Sequence, residues 1–318
     1  MGVIVGPTLG PPLGGYIVDR FSWPFIFYIN IPIGIIAALL TLSFIKSPKY
    51  GVKLKANQVD WLGIFFLSAF IGSLQFVLEH GQQDDWFNDP VIVTLSVVSF
   101  FGLLFFIWRE LTYEHPIVNL RVLKDSNLRI GTIMCFILGF GLYGSTFIIP
   151  IYTQSILGWS ATDAGLLLIP SSITTGIMMP FIGKMIQKGI PQTYLVAAGF
   201  FVFFAFTYWM HLVITPDSGE EHMYWPLILR GVGLGLLFVP ITTLSLSTLT
   251  GKHIGEGAAF TGMMRQLGGS FGIAIITTYI ARINQEHRVN MIGYLDNTSF
   301  EVQQRVHQLQ MGFMSKGY

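Results

Sequence analysis

The amino-acid sequence predicts an all-α polytopic membrane protein with about nine transmembrane helices. Three observations carry this reading. Of the 318 residues, 52% are hydrophobic and only 11% are charged, against about 25% charged in a soluble domain. Nine apolar stretches reach the length of about 17–25 residues that a helical span needs. Basic residues recur on alternate connectors, as expected when Lys and Arg stay on the cytoplasmic side.

The stretches cover 1–18, 25–45, 61–79, 91–109, 130–153, 163–186, 193–213, 223–248 and 257–281. The first opens MGVIVGPTLGPPLGG, with Gly2, Gly6, Gly10 and Gly14 at four-residue spacing and Gly15 beside the last. Such spacing makes a bare stripe on one helix face, the mode in which membrane helices approach closely. Pro7, Pro11 and Pro12 would break a soluble helix but are tolerated in a bundle whose neighbours re-satisfy the freed backbone. A glycine–proline loop is the alternative for these residues taken alone. Between the second and third spans, 46–60 holds Lys46, Lys49, Lys53 and Lys55. After the fourth come Arg109, Arg121, Lys124 and Arg129, then Lys184 and Lys188 after the sixth, and Lys252 after the eighth. Eleven of the 18 basic residues therefore share one side, which is assigned to the cytoplasm. The connectors 80–90, 154–162 and 214–222 contain no Lys or Arg. The first helix then runs outward, and the tail 283–318 is extracytoplasmic. Asp60 before Trp61, and Asp163 after Thr162, read as residues of helix N-cap regions. An outward-going span at the start and a polar stretch at the end lead us to expect a fragment, or a start codon inside a longer frame.

Several function classes fall away. The net charge is +1 with no basic tail, so nucleic acid is not an expected partner. One cysteine, Cys135, sits in an apolar run, so neither a disulfide framework nor a thiolate metal site is expected. The seven histidines are scattered. No charged leader or cleavage signature suggests a signal peptide. No GxxxxGK[ST] loop occurs, and no paired carboxylates or His/Asp cluster shares a helix face, so neither an ATPase nor an intramembrane enzyme is expected. No cofactor is expected.

Arg230 and Arg265 are the basic residues well inside apolar helices. An arginine at depth costs at least about 2.5 kcal/mol and faces a cavity or partner. Arg265 lies about eight residues into its span, ~12 Å deep at about 1.5 Å per residue. It is expected to point into the bundle, with the glycines Gly262, Gly268, Gly269 and Gly272 nearby exposing backbone carbonyls to its guanidinium; snorkelling is the alternative. The partners of both arginines are expected in spans outside this chain or in the substrate. Gln75, Tyr143, Tyr152 and Gln154 are candidates for lining a polyspecific cavity, with an interhelical hydrogen bond or interface aromatic as the plainer reading of each. Met178, Met179, Met263 and Met264 offer soft lining or core filler.

The segment GVIVGPTLGPPLGGYIVDRFSWPFIFYINIPIG resembles the fifth-span antiporter motif and its continuation in the major facilitator superfamily, in the 14-span drug:proton antiporter branch (EmrB/QacA type). The family motif G-P-x-x-G-P-x-x-G-G corresponds to Gly6, Pro7, Gly10, Pro11, Gly14 and Gly15. The pattern W-x-x-x-F-x-I-N-x-P-x-G corresponds to Trp23, Phe27, Ile29, Asn30, Pro32 and Gly34. Similar segments follow at VDWLGIFFLSAFIGSLQFVLEHGQQDDWF, PIYTQSILGWSATDAGLLLIP and MMRQLGGSFGIAI.

The resemblance implies a partial major facilitator fold. Residues 1–45 would be the last two spans of the amino-terminal half, 46–129 two inserted linker helices, 130–282 five spans of the carboxy-terminal half, and 283–318 an extracytoplasmic loop. It implies that the glycine–proline helix packs where the two halves meet and seals one access state. The implied activity is efflux of amphipathic drugs or dyes across the cytoplasmic membrane by alternating access, coupled to proton antiport. A periplasmic adaptor and an outer-membrane channel are implied as further partners. The family's coupling acids lie mostly in earlier spans, so none transfers to a residue here. A carrier for one metabolite or siderophore, and a transport-incompetent fragment, are the alternatives.

Overall fold

The computed structural model describes residues 2–44, 60–113, 118–293, 303–305, 307–308 and 310–311. The described elements are α1 (Gly2–Arg20), α2 (Phe25–Tyr28), α3 (Asn30–Phe44), α4 (Trp61–His80), α5 (Pro90–Thr112), α6 (Ser126–Ser155), α7 (Ala161–Leu166), α8 (Ile169–Gln187), α9 (Gln192–Val213), α10 (Glu220–Leu246) and α11 (Lys252–Gly293), with short 3-10 turns at Trp86–Asn88 and Leu120–Lys124. No strand occurs among the described residues. Seven helical segments in this set are long and apolar enough to cross a membrane. Helices α1 and α11 occupy the other two predicted stretches, 1–18 and 257–281. The chain is an all-α polytopic membrane protein. The connector 46–59 lies outside the described residues.

Two predicted spans are interrupted. Span 25–45 breaks at Ile29, although the Ile29 N–H still bonds the Phe25 carbonyl and the chain stays near helical. Span 163–186 breaks after Leu166, and α8 restarts with Pro170 in its first turn, where a missing N–H costs nothing.

Acidic and hydroxyl caps start the helices. Asp60 accepts from the Gly63 N–H at 3.0 Å, Asp125 from Leu128 at 2.8 Å, and Asp89 from Val91 and Ile92 at 2.7 and 3.1 Å. For α7 the cap is Ser160, which accepts from the Asp163 N–H at 3.1 Å and donates back to the Asp163 carboxylate at 2.8 Å. Asp163 thus sits inside the first turn and not at the cap itself. Prolines inside α6, α8 and α10 (Pro150, Pro180, Pro226, Pro240) do not end those helices.

Helix α10 is the centre of the bundle and packs on α6, α8 and α9. One core cluster joins Ile149, Leu167, Phe206, Met210, Met223 and Leu227; a second joins Cys135, Leu138, Leu234, Leu237 and Ile241. Helix α4 pairs with α5, and α1 lies along α7 and α8. Residues from Ala274 onward form a separate compact unit.

Candidate functional site

Helix α1 meets α7 main chain to main chain. A Cβ on Gly15 would strike the Ala161 carbonyl. Reciprocally, a Cβ on Gly165 would sit 2.5 Å from the Pro11 carbonyl oxygen and 2.9 Å from the Pro12 Cα. Both glycines are therefore there to let two backbones touch. Asp19 closes the end of this seam. Its Oδ2 accepts from the Thr162 N–H at 2.8 Å and from the Thr162 hydroxyl at 2.5 Å. These two donors hold its carboxyl below the ordinary aspartate value.

The seam is not on the glycine stripe the sequence suggested. A Cβ on Gly10 or Gly14 would meet nothing within 4 Å. The reason is angular. Each residue turns a helix by about 100°, so Gly15 looks well away from Gly14. Pro11, Pro12, Gly15 and Asp19 recur at intervals of three or four and share the seam face. Gly6 and Pro7 belong to α1, but the surroundings of their side-chain positions lie outside the described residues.

Arg230 is 4% exposed and lies at the junction of α6, α8 and α10. Its Nε donates to the Ser145 hydroxyl at 2.9 Å, and its Nη1 to the Ser171 hydroxyl at 3.0 Å. Its Nη2 donates to the Leu142 carbonyl at 3.3 Å and to the Thr146 hydroxyl. This corrects the expectation that its partners lie outside the chain: they are neutral oxygens on α6 and α8. Gly231 next to it lets α10 approach the Ser171 backbone.

Arg265 is half-buried, and its guanidinium lies 4.8 Å from the centroid of the Phe238 ring on α10. The glycines around it do bring α11 against α6: a Cβ on Gly268 would strike the Phe136 carbonyl, and one on Gly272 would lie 2.8 Å from the Phe140 carbonyl oxygen. Those carbonyls serve the helix contact, however, and the guanidinium uses an aromatic face instead of the expected backbone oxygens.

The four candidate lining residues are not brought to one cavity. Gln75 on α4 accepts a 2.6 Å hydrogen bond from Ser270 on α11. Tyr143 packs its ring over Gly269. The Tyr152 hydroxyl donates to the Thr215 carbonyl at 2.6 Å, and Gln154 is exposed. A cavity of about 180 Å³ instead lies between α6, α9 and α10, bounded by Ile137, Phe140, Gly141, Phe200, Phe203 and Leu237. Met178 abuts Gly235 as filler between α8 and α10. No group of three His, Cys, Asp or Glu residues suited to a metal occurs among the described residues.

Two features escaped the sequence reading. Asp19 was one; an acid in the last turn of a helix is disfavoured by the helix dipole, and that is the signal that it has a partner elsewhere. The other is an ion pair in the α4–α5 hairpin. Asp60, with a fully buried side chain, accepts from the Arg109 Nε at 3.0 and 3.1 Å. Arg109 also stacks 3.9 Å from the Tyr113 ring centroid. Beside them Glu110, also fully buried, accepts from the Val118 N–H at 3.2 Å. The clue was present: Asp60 starts one span and Arg109 ends the next, so a short hairpin sets them side by side.

Known proteins share this chain's sequence over nearly its full length. It is 33% identical over 311 residues to the multidrug export protein EmrB of Escherichia coli, covering 98% of this chain and 60% of that protein. It is 33% identical over 318 residues to the fatty acid resistance protein FarB of Neisseria gonorrhoeae, covering 100% of this chain and 62% of the relative. It is 26% identical over 317 residues to the colistin resistance protein EmrB of Acinetobacter baumannii, covering 98% of this chain and 60% of that protein. The chain thus spans about three fifths of the length of these relatives. The family model described as Major Facilitator Superfamily matches residues 1–273. With that match, and with apolar helices packed through glycine-lined backbone contacts, the chain belongs to the major facilitator superfamily.

Proposed function

We propose that this chain works in secondary active efflux of amphipathic drugs or dyes, by alternating access coupled to proton antiport. The observation that carries the reading is the backbone seam between α1 and α7. In our reading 1–45 belongs to the amino-terminal half, 46–129 is an inserted pair of linker helices, 130–282 belongs to the carboxy-terminal half, and 283–318 is an extracytoplasmic loop. The seam then joins the two halves that must rock about a central site. At Gly15 and Gly165 the two backbones meet with no side chain between them, a close contact suited to a seal. The names of the relatives, multidrug export and colistin resistance, support drugs as the cargo class. The name of the fatty acid resistance relative supports a second reading, a carrier for one class of amphipathic acid. The cytoplasmic membrane is the proposed site, and a periplasmic adaptor and outer-membrane channel are proposed partners.

The test is ethidium efflux from cells expressing the native gene, with and without a protonophore. Export abolished by the protonophore supports proton coupling; export that persists without a proton gradient refutes it. Competition by unrelated dyes favours the multidrug reading, and competition by fatty acids alone favours the second. The sidedness is tested by impermeant maleimide on single cysteines in a Cys135→Ala background. Asp85→Cys should label from outside and Lys53→Cys should not; the reverse pattern refutes the topology.

A further inference from the structure

We propose that Asp19 is a positioning residue, a latch that holds the end of α1 on the first turn of α7 and is released when the seam parts. The proposal rests on the transport reading for its purpose, but not for its geometry.

The contact ties α1 to α7 through a single carboxylate. Asp19 and Thr162 are 143 residues apart in the chain, and one carboxylate oxygen takes both Thr162 donors. Ser160 already caps the Asp163 N–H, so Asp19 satisfies a second orphan donor of the same turn. An acid gains nothing from the C-terminal turn of α1, where the dipole is negative; its favourable surroundings belong to α7. At Gly15 and Gly165 no side chain stands between the two backbones. Such a seam is either closed or apart.

Exposure decides which contact gives way. Asp19 and Thr162 meet where the Asp19 side chain is open to solvent. When the seam parts, water replaces the Thr162 donors, so release is reversible. The Arg230 junction is the opposite case: it is buried, water cannot replace its four acceptors, and α6, α8 and α10 stay together. The groups facing Asp19 leave it ionised. Arg20 is adjacent, with its guanidinium 5.7 Å from the Tyr16 ring centroid, and Asp163 on α7 is turned to Ser160. Because the Asp19 carboxyl titrates below its ordinary value, the latch persists through neutral and mildly acid pH. Its release is therefore conformational and not a response to pH.

The experiment is double electron–electron resonance on the protein expressed from its native gene and reconstituted in liposomes without substrate. Spin labels go on Tyr16→Cys and Leu166→Cys, exposed positions on α1 and α7, in a Cys135→Ser background. Asp19→Ala should raise the ratio of the long-distance to the short-distance population about tenfold, the effect of losing one charge-assisted bond. Thr162→Val, which keeps the backbone donor, should give a smaller rise, and the double variant no more than Asp19→Ala alone. Thermal stability should not change. An unchanged distance distribution in Asp19→Ala overturns the latch. So does a double variant whose shift exceeds Asp19→Ala, or a shift that appears only with loss of thermal stability. Dye export is measured in parallel: a shifted distribution in a protein that exports nothing keeps the latch and removes the transport reading.

Discussion

Replacing Arg230 by lysine should harm the protein at least as much as replacing it by methionine, although lysine keeps the charge. The guanidinium makes four hydrogen bonds, to Ser145, Ser171, Leu142 and Thr146. Methionine removes all four and the charge together. Two of the three hydroxyls it leaves behind retain local partners: Ser145 also donates to the Gly141 carbonyl at 2.6 Å, and Thr146 to the Leu142 carbonyl at 2.7 Å. The loss is then mainly the interhelical bonds, at about 0.6 kcal/mol each or ~2 kcal/mol in sum. Lysine has three donors without a planar fork, so it keeps a buried cation while abandoning part of its coordination. The assay is thermal unfolding in detergent, read by a thiol-reactive dye at Cys135, the one cysteine of the chain and fully buried. By the scaling of large soluble domains, ~2 kcal/mol lowers the melting temperature by about 4–8 °C. Arg230→Met should fall in that range and Arg230→Lys should melt no higher. A lysine variant that melts with the wild type would show that the charge, and not the fork, holds the junction. A methionine variant that does so would refute the junction altogether.

Leucine at Gly15 or Gly165 should abolish dye export while the protein remains in the membrane, since overpacking costs about 1–3 kcal/mol or more where two backbones meet; Gly10→Leu, facing open space, should be far milder in the same efflux assay. Arg265→Lys and Phe238→Leu should lower export by similar factors, because both remove the stacked guanidinium pair; a fully active lysine variant argues against the contact. Arg109→Ala should destabilise by up to about 3 kcal/mol by leaving the buried Asp60 carboxylate unpaired, and adding Asp60→Asn should recover part of the melting temperature. Asp125 is held below the usual aspartate value by the Leu128 N–H and then the Thr248 hydroxyl. Its contribution is full above about pH 4 and is lost as pH falls through its depressed value, so melting temperature should drop less with acid in Asp125→Asn.

The helices were legible in the sequence because apolar length and basic-residue alternation act over whole spans. The contacts between them were less so. Ser145 and Thr146 are hydroxyls turned back onto their own helix carbonyls, Ser171 is one more small polar residue, and nothing in their spacing announces that an arginine 59 to 85 residues away gathers them. The sequence reading therefore looked beyond the chain for the partners of Arg230. At the glycine-rich face of α1 the difference is one of angle. Counting glycines finds where a helix is bare, and among the described residues α7 approaches on the side of Gly15 and not of Gly10 or Gly14. Gln75 was recognised as an intramembrane polar group, and the plainer reading, an interhelical bond, is what Ser270 supplies. Asp19 and Arg109 were readable in principle, one from an unfavourable helix end and one from hairpin geometry.

The seam between Gly15 and Gly165 has a consequence for how such a protein can change over generations. Its fit depends on the absence of side chains at two positions, while the cavity bounded by Phe140, Phe200, Phe203 and Leu237 depends on which side chains are present. A substitution that widens or narrows the cavity leaves the meeting of the two backbones untouched. The backbone contact and the shape of the cavity are thus written in separate residues, so over generations one can vary without disturbing the other.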